Sequence, residues 1–183
     1  VSKGMPERYL RAAKSTFRSK HKDLIEGNDS LFIHGDSGVG KTWLAAAIMR
    51  EQMSRTARKV GKSTMYLDDS IFISVPELTL LVRDSMGHGS EDTERKLLNR
   101  YGNVKTLILD DIGAENITNY MKTTMHVLIE RRNTKLRCRT IITSNWHLGD
   151  IDREYGPRVA SRITEMCRVV EMEGEDRRVH SSG

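Results

Sequence analysis

The chain has 183 residues, of which 37% are hydrophobic, 30% charged and 5% aromatic, with a formal net charge of +5. This is one domain of ordinary size with enough apolar material for a proper core, and it suits a soluble α/β protein rich in amphipathic helices. No apolar run approaches the ~18 residues of a membrane span and no signal peptide precedes the first strand, so the expected setting is cytoplasmic with no membrane partner. Cys138 and Cys167 show no CxxC spacing, which reads as two reduced structural thiols rather than a metal site.

The positive charge is uneven. Residues 1–22 hold seven Lys or Arg against the single acid Glu7, and 131–139, RRNTKLRCR, hold five basic groups and no acid. Such runs are solvated faces or counterion-releasing contacts to nucleic acid. Residues 7–26 read as a helix with a basic face ended by Gly27-Asn28-Asp29, giving a lead-in over 1–30 and a core over 31–183. Leu31-Phe32-Ile33-His34 is a buried strand, followed by a helix from Lys41 to about Arg58 that Gly61 breaks. Thr64–Leu67 and Ile71–Val75 are short strands, and Pro76 opens the helical stretch ELTLLVRDSM. GHGS at 87–90 is a break before a charged helix over 91–101, and VKTLILDD is an apolar strand ending in two acids. Tyr120–Asn133 is a helix with Met121, Met125, Leu128 and Ile129 at core spacing, RTIITSN is another buried strand, a helix spans 157–166, and RVVEM is the last strand. Strands alternating with helices predict a parallel sheet of about five strands covered on both faces.

Between the first strand and the second helix lies Gly35-x-x-x-x-Gly40-Lys41-Thr42, a full phosphate-binding loop motif. Glycines let consecutive backbone N–H groups turn inward, and the helix N-terminus adds partial positive charge. The expected nucleotide-binding set is Gly35, Asp36, Ser37, Gly38, Val39, Gly40, Lys41 and Thr42, with Trp43 directly after them. Lys41 is expected to reach the β- and γ-phosphates of ATP, and the Thr42 hydroxyl to hold Mg2+. TLILDDIGAE fits the second acidic motif of such enzymes: Asp110 binds Mg2+, directly or through water, and Asp111 orients or deprotonates the attacking water. Asn145, at the end of the RTIITSN strand, fits a polar sensor for that water. No Asn-Lys-x-Asp motif reads a guanine, which disfavours a GTPase, and no Arg-rich lid supports a small-molecule kinase, which stays as a distant alternative.

The order GDSGVGKT, LILDDIGAE, TIITSN, YGPRVASRI and GEDRR resembles the AAA+ ATPases of the DnaC/DnaI helicase-loader and IstB group, and GMPERYLRA at 4–12 is similar to the segment leading into that core. The likeness runs from Gly4 to Arg178. It implies an AAA+ P-loop fold lacking the usual helical lid, because only twelve residues follow Glu171. It also implies that Met5 to Tyr9 flanks the adenine, and that Arg162 is an arginine finger reaching the γ-phosphate bound by a neighbouring subunit. By the same likeness Arg178 is a second sensor. Asp111 stands where many AAA+ proteins have Glu, which suits slow, switch-like hydrolysis. Pro157 stands where the group often has an acid, and Trp43 where His is common, with a packing role expected.

In this group the region between the second strand and the acidic strand faces single-stranded DNA inside a spiral of subunits. Here that region is 76–101, offering Arg83, Lys96 and Arg100 without an aromatic stacking platform, so phosphate contacts without sequence reading are expected. The leading expectation is the ATPase core of a DNA-replication helicase loader. On it, the protein self-associates on single-stranded DNA and acts on a replicative DNA helicase held by an N-terminal domain missing from this sequence. The alternative is an IstB-like transposition helper acting on duplex DNA.

Overall fold

The computed structural model describes residues 4–12, 21–60, 63–66, 69–87, 91–135 and 138–176. Its centre is a five-stranded sheet made of β1 (Ser30–His34), β4 (Ser70–Ser74), β5 (Thr106–Ile112), β6 (Arg139–Ser144) and β7 (Cys167–Glu171). The spatial order is β4-β5-β6-β1-β7 and every pairing is parallel. A parallel sheet needs cover on both faces, which is why β1 and β4–β6 are largely buried runs rather than alternating ones; β7, at the edge, is the exception, with Arg168, Val169 and Glu171 exposed.

The two faces are filled by alternate residues of the same strands. Phe32, Ile73, Leu107, Leu109 and Ile142 point to one face, covered by α3 (Val75–Gly87), α4 (Glu91–Asn103), α5 (Asn119–Asn133), α6 (Leu148–Tyr155) and α7 (Pro157–Met166). Leu31, Ile33, Phe72, Ile108 and Ile141 point to the other, covered by α1 (Lys22–Glu26), α2 (Lys41–Thr56) and the lead-in. On α5 the side chains of Met121, Met125, Leu128 and Ile129 are all buried, as their spacing predicts. Thr118 caps this helix by accepting from the Met121 N–H. α3 opens at Val75-Pro76 with the Ser74 hydroxyl accepting from the Glu77 N–H.

Four elements differ from the sequence expectation. The lead-in is not one helix over 7–26. Glu7–Tyr9 is a single 3-10 turn, α1 begins at Lys22, and 13–20 lie outside the described residues. Met5, Tyr9, Ala12, Leu24 and Ile25 are core residues, so the basic lead-in is anchored by its apolar minority. α2 stops at Thr56, and Ala57–Val60 forms strand β2, paired antiparallel with β3 (Ser63–Tyr66) in a hairpin separate from the main sheet. Leu67 lies outside the described residues. Helix α6 was not anticipated. It has eight residues and only Ile151 and Tyr155 buried, too little for a periodic signal.

The basic run at 131–139 is the fourth difference. Arg132 is 2% exposed, and its guanidinium donates to Thr140 Oγ1 and to the carbonyls of Tyr101, Val104 and Arg139 at 2.7–2.9 Å. Arg139 is also buried and donates to the Asp29 and Leu24 carbonyls, tying β6 to α1 and to the entry of β1. Burial pushes both guanidiniums down, each to about 10, so both stay charged at neutral pH. Two of the five basic groups are therefore internal struts rather than a nucleic-acid face. Cys167 is buried and its thiol is pushed up to about 12 by that burial, while Cys138 is half-buried; both are unpaired. Among the described residues no helix is long and apolar enough to cross a membrane.

Arg132→Ala removes the donor of three buried carbonyls and leaves a void. Each stranded group costs about 1–3 kcal/mol, so urea unfolding is expected to show a loss of at least about 3 kcal/mol. Arg132→Lys recovers only part of it, because an ammonium cannot reproduce the planar fork. A loss under about 1 kcal/mol in the Ala variant contradicts the strut assignment.

Candidate nucleotide site

The loop Gly35 to Gly40 joins the C-terminal end of β1 to α2, and the ends of β5 and β6 stand beside it, at the edge where open α/β sheets bind ligands. Gly38 and Gly40 have φ of 83° and 106°, a region that side chains other than glycine rarely enter, and this turns the loop back on itself. Gly40 is the N-cap of α2, so the first-turn N–H groups of the helix have no intrahelical partners. That is an anion site by construction.

Lys41 is 7% exposed. Its Nζ donates to the Gly35 carbonyl, the Asp36 carbonyl and Asn145 Oδ1, each at 2.7 Å. Asn145 Nδ2 in turn donates to Asp111 Oδ1 at 3.4 Å. One chain of polar contacts thus runs from the loop lysine through the expected sensor to the expected water-orienting acid.

The strand carrying the acids is built around an irregularity. The register of β5 against β6 shifts between Leu109 and Ile112, and Asp111 has φ of 61°. Among the described residues Asp111 is the one non-glycine with positive φ, a conformation costing about 1–3 kcal/mol that Asp tolerates better than most residues. Such a bulge re-aims side chains at the end of a strand. Thr143 on β6 holds it in place: its hydroxyl donates to Asp110 Oδ1 at 2.7 Å and accepts from the Asp111 N–H at 2.9 Å. Burial pushes the Asp110 carboxyl up from the usual range, against hydrogen bonds from Thr143 and Thr42 that pull it down. A buried carboxylate beside a hydroxyl is a set of hard oxygen donors suited to Mg2+, and a divalent cation would supply the countercharge that burial denies Asp110.

Thr143 escaped the sequence reading because one Thr in a buried strand carries no signal until the neighbouring strand is known. Glu115 and Trp146 were also missed. Glu115 Oε2 accepts from the Gly113 N–H at 2.9 Å, and burial raises its carboxyl. Trp146 packs so closely on Gly113 that a Cβ there would lie 2.6 Å from its ring, which fixes the turn after the acids. Ser144 completes the clamp by donating to the Ile112 carbonyl and accepting from the Trp146 N–H.

The remaining expected residues fall at different distances from this centre. Val39 is buried in the core. Tyr9 is buried, edge-on to Trp43 at 5.8 Å between ring centroids and stacked on Phe72 at 6.4 Å, so the lead-in lies against the start of α2. Trp43 is half-buried and packs, as expected, against its neighbours. Arg162 lies on α7, paired with Glu130 Oε2 at 2.7 Å and Glu165 Oε2 at 2.6 Å, which hold its guanidinium above the usual range. Neither partner belongs to the loop of its own chain. Arg178 lies outside the described residues, but the segment leading to it returns to the loop: the Met172 N–H donates to the His34 carbonyl and the Asp176 side chain lies against Gly38. Arg83 on α3 and Lys96 and Arg100 on α4 are exposed, on two helices that pack together.

The family model described as IstB-like ATP binding protein matches residues 10–183. The replicative helicase loader DnaC of Escherichia coli (strain K12) is 31% identical over 149 residues, covering 79% of this chain and 56% of that protein. A putative insertion sequence ATP-binding protein, y4uH of Sinorhizobium fredii (strain NBRC 101917 / NGR234), is 27% identical over 184 residues, covering 95% of this chain and 68% of that protein. The chain thus spans little more than half the length of the loader it matches. In fold it is similar to the crystal structure of the DnaC helicase loader, with a TM-score of 0.71 at 23% identity over 92% of this chain and 100% of that chain.

Proposed function

The chain belongs to the IstB-like ATP-binding family, and from that premise we propose that it is the ATPase core of a replicative helicase loader, working as an ATP-dependent assembly on single-stranded DNA. The observation that carries the reading is the Lys41–Asn145–Asp111 chain beside the buried Asp110. ATP phosphates accept from the N–H groups of the loop and of the first turn of α2. Lys41 then exchanges its protein acceptors for phosphate oxygens, a charge-assisted contact. That exchange frees the Asn145 amide oxygen, and Asn145 with Asp111 is left to hold the attacking water. Asp110 and Thr42 would hold Mg2+, and the ion would supply charge neutralisation at the phosphates. Tyr9 closes the adenine side of the pocket, and Arg178, reached through a segment that already touches the loop, acts as second sensor.

Arg162 acts in trans. Both of its acid partners are on its own helix or on α5 and none is on the loop, so the part-exposed guanidinium would exchange these ion pairs for a neighbouring subunit's phosphate. Arg83, Lys96 and Arg100 contact DNA phosphates, and the replicative helicase is the partner remodelled. A second reading, a transposition helper acting on duplex DNA, is favoured by the insertion-sequence relative that matches nearly the whole chain.

Lys41→Ala is expected to abolish ATP binding in calorimetry. Asp111→Asn is expected to bind ATP as the wild type does and to lose hydrolysis by at least about 100-fold, in line with loss of a positioned base. Equal loss of binding in both variants contradicts this division of roles.

For DNA, binding to single strands is expected to exceed binding to duplex and to weaken as salt rises. Combining Arg83→Ala, Lys96→Ala and Arg100→Ala lowers the log–log salt slope by about 0.7 for each phosphate that is no longer neutralised. An unchanged slope removes these residues from the DNA site, and a preference for duplex favours the transposition reading.

A further inference from the structure

Three side chains with metal-ligand chemistry, from three separate elements, meet at the edge of the nucleotide site. His34 ends β1 immediately before the loop, His147 precedes α6, and Glu171 ends β7. His34 and Glu171 are register partners across β1 and β7, so their side chains leave the sheet on the same face. His34 also pairs with Ser144 on β6, three residues before His147. One ligand atom from each of the three residues lies within 4.8 Å of the other two. The two imidazole centroids are 4.7 Å apart at an interplanar angle of 63°.

The buried member has an unexplained polar atom. His34 is 7% exposed, and its Nδ1 is shielded from solvent with no hydrogen-bond partner among the described residues. A buried group of this kind costs about 1–3 kcal/mol if nothing binds it, and its persistence asks for a partner. Nothing in the nucleotide chemistry uses it.

We propose that His34, His147 and Glu171 form a binding site for one divalent transition-metal ion of the zinc class, separate from the Mg2+ that accompanies ATP. Two imidazoles and a carboxylate are the three-ligand set that leaves a fourth position to water, and nitrogen donors select against Mg2+ and Ca2+. Ligand atoms around a tetrahedral zinc stand roughly 3.4 Å apart, given bonds near 2.0–2.1 Å. The present spacing therefore closes by small rotations of the exposed His147 and Glu171 side chains, the His147 rotation competing with the capping contact its ring makes to the Asp150 backbone. Burial, with His147 beside it, pushes the His34 imidazole below its usual range, while Glu171 raises it and Lys41 lowers it. Its neutral form, the ligating one, is thus favoured. Lys41 opposes a second cation nearby, and the Glu171 carboxylate offsets that charge. Asp150 holds the first turn of α6 by accepting from the His147 backbone N–H at 3.1 Å and from Arg153 at 2.7 Å, so His147 sits on a fixed backbone. A bound ion ties the ends of β1 and β7 to the entry of α6, two residues from Asn145.

The test uses the untagged chain after chelator treatment, with no nucleotide present, titrated with Co2+ alone and then with Zn2+. The outcome is therefore independent of ATP hydrolysis. The expected result is one Co2+ per chain, with the visible absorption of a four-coordinate ion, displaced by one Zn2+. His147→Asn keeps a good helix cap and Glu171→Gln keeps the shape, and both positions are exposed, so the metal-free variants are expected to unfold at the wild-type temperature. Each is expected to weaken Co2+ binding more than tenfold. No saturable binding at one ion per chain, or variants that bind as tightly as the wild type, overturns the proposal.

Discussion

Everything at this site depends on where one ammonium group is held. Lys41 sits at the first position of α2, nearly sealed from solvent, with two loop carbonyls and one amide oxygen as acceptors. A buried cation without such partners costs several kcal/mol, so the loop closes around it and the end of β6 is drawn to the loop through Asn145. The P-loop and the acidic strand end are thus parts of one polar network before any ligand arrives. The same network makes the pocket responsive, because an anion strong enough to recruit Lys41 also changes what Asn145 bonds to.

That network works only if three strand ends stay in register. β5 must deliver Asp110 and Asp111 beside the end of β6, one strand away from β1, and it does so through a bulge that puts Asp111 at φ of 61°. Thr143 contacts both residues of the bulge, and Trp146 and Glu115 fix the turn beyond it. The opposite end of the sheet is held by Arg132 and Arg139, whose guanidiniums satisfy carbonyls that would otherwise be stranded at the entries of β5, β6 and β1. Charged groups thus serve as struts at one end of the sheet and as chemistry at the other.

Much of the site was legible in the sequence for physical reasons. A phosphate cradle needs glycines and a lysine at fixed spacing, and a metal acid needs an apolar strand before it, so Lys41, Thr42, Asp110, Asp111 and Asn145 announce themselves. β1, β4, β5 and β6 were readable because burial on both faces leaves apolar or β-branched runs, and the edge strand β7 because of its Val169-Val170 pair. Thr143, Glu115 and Trp146 were not readable, since their roles exist only once neighbouring strands and turns are set side by side. The hairpin β2–β3 lacks any alternation that separates Ala57–Val60 from the end of α2. The run at 131–139 misled because sequence cannot tell a solvated arginine from one whose donors are directed inward. The lead-in misled similarly: its charges suggest one helix with a basic face over 7–26, yet Glu7–Tyr9 is a single 3-10 turn and Met5, Tyr9 and Ala12 are buried against the sheet.

The central claim is that the working site is composite, with pocket and arginine on different subunits. The most direct measurement mixes two inactive variants on single-stranded DNA: Lys41→Ala, with an empty pocket and an intact Arg162, and Arg162→Ala, with the reverse. An arginine supplied in trans is worth about 10³–10⁵ in rate in this chemistry, so interfaces that pair a sound pocket with a sound arginine dominate the signal. The account predicts ATPase activity that rises from near zero and peaks at intermediate ratios of the two proteins. Activity that stays at the level of the separate variants at every ratio, in mixtures shown by light scattering to be assembled, contradicts it.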